Sequence, residues 1–413
     1  MKDKIIDHLF RHHSGKMVAI LTRIFGLQHL EIIEDAVQDT FIKATLTWGN
    51  QIPDHPETWL TKVARNRVLD ILRTSKTQQK HLDNFNQGTG TISIHELFLD
   101  TEIEDAQLRM IFTACHPQLD PRDRISFALK TVSGFSSKEI SSALLTKEET
   151  VKKRLLRAKR TINKLDIKFK IPQGKSLPER LESVMEVLYL IFNEGFHSSQ
   201  KQKIIRKDLC VEAVRLTQLL LKKSLTRTAD VYALCALMYF HSARLDSKLD
   251  SNNELLDLKN QNRKLWYFPL IRLGDAMMNK AVDSTDYFSC YHYEAAIASE
   301  HLRAKSFEDT DWSKIHYWYQ CLYDLHPMPS HLLSMAVVCI QDNDAPLAKA
   351  YLDKIKSTDF EHRSYLYYGT LSDYFSATNQ KEEAIKQIDL ALEFVTNELE
   401  KDYLQKKRDI IVN

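Results

Sequence analysis

The sequence predicts an all-α protein. Only ten glycines and ten prolines occur in 413 residues, too few for a many-turned β-protein. Apolar residues recur at three- and four-residue spacing over long stretches, and no period-two alternation is sustained. A chain of this length also exceeds one ordinary core, so several compact units are expected.

Residues 1–75 form the first helical segment, with Ile5, Leu9, Val18, Leu21 and Ile24 at helical spacing. Residues 76–100 turn polar and glycine-bearing, from Lys76-Thr77-Gln78-Gln79-Lys80 through Asn84 to Gly90, and are expected to be a linker. A second helical unit covers 101–170. Ile171-Pro172-Gln173-Gly174 punctuates the chain, and residues 171–413 continue as helix after helix. Near the end, Leu371, Phe375, Ala384, Ile388 and Ala391 fit the large-and-small packing positions of a tetratricopeptide-type helix pair. Ala350 lies one 34-residue period before Ala384. The Asn193-Glu194-Gly195 turn is expected to end an apolar helix, with Gly195 as C-cap.

Charge divides the chain. Up to Lys175 there are 28 basic and 21 acidic residues, and beyond it 29 basic and 34 acidic. A basic part joined to an acidic part suits a nucleic-acid-binding module followed by a protein-interaction module. The six cysteines are widely spaced, never form a C-x-x-C pair and mostly sit among apolar neighbours, which points to buried thiols in a reducing cytoplasm. No run approaches the ~18 apolar residues of a membrane helix. Cys115-His116 has no second Cys/His pair at ligand spacing, so no metal is expected.

The most informative stretch runs from Gly134 to Arg160 (GFSSKEISSALLTKEETVKKRLLRAKR). Ser136 with Glu139, and Thr146 with Glu149, have the spacing of capping boxes, marking two helix starts separated by a turn near Leu145. On the second helix Val151, Leu155, Ala158 and Ile162 share one face, leaving Lys152, Lys153, Arg157 and Arg160 on the others. Residues 147–170 hold ten Lys/Arg and three acids, two of which, Glu148 and Glu149, sit in the first turn where the helix dipole favours them. This is the pattern of a helix-turn-helix with a basic recognition helix.

Upstream, Glu34-Asp35-Ala36-Val37-Gln38-Asp39-Thr40-Phe41 is followed, after Trp48 and a proline-containing loop, by the segment Thr58 to Asp70 (TWLTKVARNRVLD). These residues resemble region 2 of the extracytoplasmic-function (group IV) sigma factors, and Asp120 to Lys164 resembles their region 4. The resemblance extends to the subgroup with a C-terminal tetratricopeptide-like extension, through Leu108–Pro117 (LRMIFTACHP), Val187–Gly195 (VLYLIFNEG), Asp208–Leu216 (DLCVEAVRL) and Thr310-Asp311-Trp312. One departure is Ser334-Met335, where the subgroup pattern has an Asn-Arg pair.

The resemblance implies two small helical sigma domains followed by a helical-repeat domain. It implies core RNA polymerase and promoter DNA as partners, with the acidic helix on the polymerase clamp, the Trp59 helix at the minus-ten element and the helix-turn-helix at the minus-thirty-five element. Asp35, Gln38 and Asp39 project to one side while Ile33, Val37 and Phe41 go inward, so the three polar residues are the expected polymerase contacts. Trp59 suits either the core or stacking on an opened strand. Asn66 has the amide to read a base edge, and Lys62, Arg65 and Arg67 have the charge to hold phosphates. On the recognition helix Lys152, Lys153 and Arg157 are expected in the major groove, Thr150 and Arg154 at phosphates, and Leu156 completes the DNA-facing set.

The competing readings are a repressor or activator with an effector-binding helical domain, and a repeat scaffold with a vestigial helix-turn-helix. Neither needs the Asp35/Gln38 surface or a single-strand reader. No P-loop, paired metal motif or triad supports an enzyme or a cofactor. The extension is expected to contact and regulate the sigma half within the chain.

Overall fold

The computed structural model describes residues 2–48, 52–74, 100–144, 146–197 and 205–413. The linker expected at 76–100 lies outside the described residues except for Asp100, which begins a helix. Among the described residues the architecture is all-α, with no strand and one isolated bridge between Leu249 and Leu255. The chain divides into two compact units, 1–190 and 191–413.

The first unit opens with α1 (Lys2–Phe25), α2 (Leu30–Thr47) and α3 (Pro56–Thr74). Val18 and Leu21 of α1, Ile33, Val37 and Phe41 of α2, and Leu60, Ala64 and Val68 of α3 are all buried. The four-residue spacing of Leu60, Ala64, Val68 and Leu72 in α3 turns one stripe inward and leaves the opposite face to solvent. Next come α4 (Asp100–Ala114), α5 (Pro121–Thr131), α6 (Ser137–Ala143) and α7 (Glu148–Lys164). Helix α1 packs against α4 and α5 as well as against α2 and α3. The approach is close enough that a β-carbon on Gly15 would overlap the Val132 carbonyl, so only glycine fits there. Arg23 of α1 pairs with Glu102 of α4.

Helix α8 (Leu177–Phe196) begins in the first unit, where Ser183 donates to the Cys115 carbonyl at 2.7 Å and accepts from Arg124 at 2.6 Å. Arg180 bonds the Phe112 carbonyl. These contacts satisfy carbonyls at the C-terminal end of α4, which has no intrahelical donors for them. The division between units falls inside α8.

The second unit contains α9 (Lys207–Lys222), α10 (Ala229–Ala243), α11 (Phe268–Asp283), α12 (Cys290–Arg303), α13 (Trp312–Leu325), α14 (Pro329–Gln341), α15 (Ala345–Leu352), α16 (Ser364–Ala377), α17 (Lys381–Phe394) and α18 (Glu398–Val412). Gly195 does not cap α8. It lies within the helix without a left-handed φ, and a β-carbon there would come within 2.9 Å of Cys210 and the Arg206 carbonyl. Its role is close packing of α8 on the start of α9.

A repeat is present, in a register different from the 34-residue one. Ala350 is exposed, whereas Ala348 is fully buried like Ala384. The turns before α15 and α17 each hold an asparagine at positive φ, Asn343 at 61° and Asn379 at 57°, thirty-six residues apart. The same offset relates Ala348 to Ala384 and Leu352 to Ile388, all buried. The longer period follows from the 3-10 turn at Ser357–Arg363, which extends the connection between α15 and α16.

Candidate nucleic-acid and polymerase interface

Helix α7 carries its apolar spine inward: Val151, Leu155, Ala158 and Ile162 are buried. Burying each of the larger three stabilises the docked helix by about 1.5–3 kcal/mol. Lys152, Lys153, Leu156, Arg157 and Arg160 are exposed, with Thr150 and Arg154 half-buried at the edge of the same face. The preceding α6 starts with the expected capping box, in which Ser136 Oγ accepts from the Glu139 N–H at 3.1 Å and Glu139 accepts from the Ser136 N–H at 2.8 Å.

The second capping box does not form. Helix α7 begins at Glu148 with Lys147 as N-cap, and no side chain caps it. Thr146 therefore lies one residue too early, and Glu149 is in the first turn rather than at the third position. The two acids instead pair along the helix, Glu148 with Lys152 at 2.9 Å and Glu149 with Lys153 at 3.1 Å. Both pairs are well exposed and readily exchanged for other partners.

Arg157 is tied down differently. Its guanidinium donates to Asp123 Oδ1 at 2.8 Å, a carboxylate on α5 that is almost fully buried while Arg157 is mostly exposed. Burial pushes the Asp123 pKa up, more than the neighbouring Arg157 charge pulls it down. Lys159 is used within the protein: it donates to Glu34 at 2.8 Å and Glu31 at 3.5 Å on α2. Burial works against its charge, and the two glutamates together outweigh burial and raise its pKa.

On α3, Lys62, Asn66 and Arg67 are exposed and Arg65 is half-buried. Trp59 is half-buried, its ring edge-to-face with the buried Trp48 at 5.4 Å between centroids. Asp35, Gln38 and Asp39 are exposed on α2 as their spacing predicts. Arg67 and Asp39 meet at 3.1 Å, so the structure brings together one member of each expected set. Sequence pattern gave no signal for the Arg67–Asp39, Arg157–Asp123 or Lys159–Glu34 pairs, because each joins helices distant in the chain.

Cys115 and His116 are not a reactive pair. Burial pushes the Cys115 thiol up to about 12, and burial with the Arg180 and Arg124 charges brings His116 down to about 4. Among the described residues no group of His, Cys, Asp and Glu is arranged to hold a metal ion. No helix among them is long and apolar enough to cross a membrane.

Residues 9–78 match the family described as Sigma-70 region 2, residues 109–162 match Sigma-70, region 4, and residues 180–282 match a family of unknown function (DUF6596). An uncharacterized protein of Rhizobium meliloti (strain 1021) is 30% identical over 389 residues, covering 92% of this chain and 90% of the relative. The ECF RNA polymerase sigma factor SigE of Mycolicibacterium smegmatis is 26% identical over 156 residues, 38% of this chain and 59% of the relative. No solved structure matches.

Two Sigma-70 modules in one chain, one built on α1–α3 and one on a helix-turn-helix, define the class: a sigma factor, whose domains act with core RNA polymerase and promoter DNA. Within that class, the chain belongs to the extracytoplasmic-function sigma factors that carry a C-terminal extension.

Proposed function

We propose that this sigma factor docks on the polymerase clamp through Asp35, Gln38 and Asp39, reads the minus-ten element with Asn66 and reads the minus-thirty-five element with Lys152, Lys153 and Arg157. Trp59 stacks on an unpaired base beside Asn66, with Lys62, Arg65 and Arg67 at phosphates. Thr150 and Arg154 hold the backbone around the major-groove site, and Leu156 makes apolar contact there. The observation that supports this most strongly is the exposed basic face of α7 standing on a buried spine.

Run-off transcription with core polymerase tests the reading. Promoter-specific transcripts should require this protein, and Asp35→Arg should pull down core enzyme at least tenfold less well because it sets a cation where a basic partner surface is expected. Transcripts indistinguishable from core alone would overturn it.

The functional extension, residues 171–413, is proposed to govern the sigma part from within the chain. The excess of acid beyond Lys175 beside the basic excess before it favours mutual attraction, and a short connector keeps the effective concentration high. Truncation after Leu190, which keeps the Arg180 and Ser183 contacts of the first unit, should change promoter-specific transcription. Equal activity of the truncated and full chains, with no binding between separated parts, would refute this regulation while leaving the sigma assignment intact.

A further inference from the structure

Arg157 differs from the other cations on the exposed side of α7 in the partner it keeps. Lys152 and Lys153 pair with Glu148 and Glu149 of their own helix, and such exposed pairs exchange freely with water and with other ions. Arg154 bonds no acid among the described residues. Arg157 instead reaches across to Asp123 in the first turn of α5, Nη2 to Oδ1 at 2.8 Å, and the Asp123 side chain is 6% exposed where that of Arg157 is 62% exposed. Neither residue makes another side-chain hydrogen bond among the described residues.

The start of α5 favours an acid through the helix dipole but does not require one turned toward α7. Capping is done by Asp120, which accepts from the Arg122 N–H at 2.9 Å. An acid three residues after the cap commonly returns a bond to the cap N–H, whereas the Asp123 carboxylate goes to Arg157. Stability does not account for the pair either, because desolvating a carboxylate for one exposed partner offsets most or all of the attraction. What the pair does give is a defined chemistry at Arg157. One of its five N–H donors is spent on Asp123 and four remain, on a planar fork anchored at one corner and otherwise facing solvent. A base edge is recognised through directed hydrogen bonds, and a phosphate is held mainly through charge. A guanidinium that is partly neutralised and fixed in orientation keeps the first ability and loses much of the second.

We propose that Asp123 is a specificity-determining residue: by neutralising and orienting Arg157 it makes that side chain favour a base edge with two acceptors, as guanine has, over the phosphates of any DNA. The inference rests on the proposed role of Arg157 as a reader of the minus-thirty-five element and adds to it a buried acid that acts through Arg157. Asp123 is thus a positioning residue. Arg154, one turn earlier and without such a partner, retains its full charge for the phosphate proposed for it. The same pair discourages attachment to non-promoter DNA, where every phosphate contact adds affinity whatever the sequence.

The test uses the full chain assembled with core polymerase and two duplex probes, one recovered by this holoenzyme from a library randomised over the minus-thirty-five element and one of scrambled sequence. Affinities come from competition titrations over a series of salt concentrations, with single-base variants of the first probe. Asp123→Asn, which keeps the size of the side chain and removes its charge, should tighten binding to both probes but to the scrambled one more, lowering the ratio between them by roughly threefold or more. The slope of log affinity against log salt should steepen by up to about one unit, as one further phosphate contact would give. Preference should relax at a single base position, the same one that Arg157→Ala relaxes. Asp123→Ala should act in the same direction. In an Arg157→Ala background, adding Asp123→Asn should change neither ratio nor slope. A merely structural ion pair would move the Tm and leave ratio, slope and base preference in place, and that result overturns the proposal. So does a change in ratio that persists without Arg157. Full base preference in Arg157→Ala would overturn both this inference and the reading beneath it, whereas a relaxed Arg157→Ala beside an unchanged Asp123→Asn would overturn this inference alone.

Discussion

Arg157 illustrates how one side chain can be committed twice. It points from α7 toward solvent, yet its guanidinium is held by Asp123. Because burial raises the Asp123 pKa, its carboxylate favours folding only when protonated, below its ordinary range, and that contribution is lost as pH rises through the raised value. At neutral pH the charge is therefore a cost, and Asp123→Asn should melt at or above the wild-type Tm at pH 7, with the advantage vanishing near pH 3.5. It should also release Arg157 and tighten promoter binding. A lower Tm at pH 7 would mean that the bridge outweighs the burial. Arg157→Ala should weaken cognate promoter binding by about 1–3 kcal/mol and relax preference at one base position. Competition titrations against single-base promoter variants would show it, and unchanged selectivity would remove Arg157 from the reading set.

At the scale of the element, α7 has three faces with three uses: a spine in the core, a basic side toward solvent, and Lys159 on α2. The last is the clasp between the two sigma modules, and a charge swap isolates it. Lys159→Glu and Glu34→Lys should each lower the urea midpoint, and the double variant should recover most of the loss, with a coupling of roughly 1 kcal/mol or more. Strictly additive losses would show that the pair does not couple. The spine and the Ser136 box were legible because both are local patterns that recur within a few residues. The Thr146 box failed because its spacing fits equally well one residue before the true start of α7. Gly195 was misplaced because a glycine needed for a left-handed cap and one needed for close approach look the same in a sequence; only Cys210 packed above it tells them apart. Lys159 and Asp123 were invisible, since their partners are set by tertiary packing.

The whole molecule should be sensitive to mild acid. Burial holds His116 down at about 4 and His301 at about 3, and pushes His241 well below its ordinary value. Above about pH 6.5 the three are neutral in both folded and unfolded chains and leave stability unchanged. As pH falls from there toward those depressed values, the unfolded chain takes up protons that the fold refuses, so stability declines. The urea midpoint should drop between pH 7.5 and 5.5, before carboxylates titrate, and His301→Gln should flatten part of that slope. A flat wild-type profile would contradict the burial of these rings. The second unit also has a countable grain. Asn343 and Asn379 turn the chain at equivalent points, and each is followed by a helix with matching buried positions. Residues 344–379 therefore form an interchangeable part whose two ends share one backbone geometry. A second copy spliced in after Asn379 would meet the same turn it left, which makes the length of this domain a quantity that can be set by duplication, as links are added to a chain.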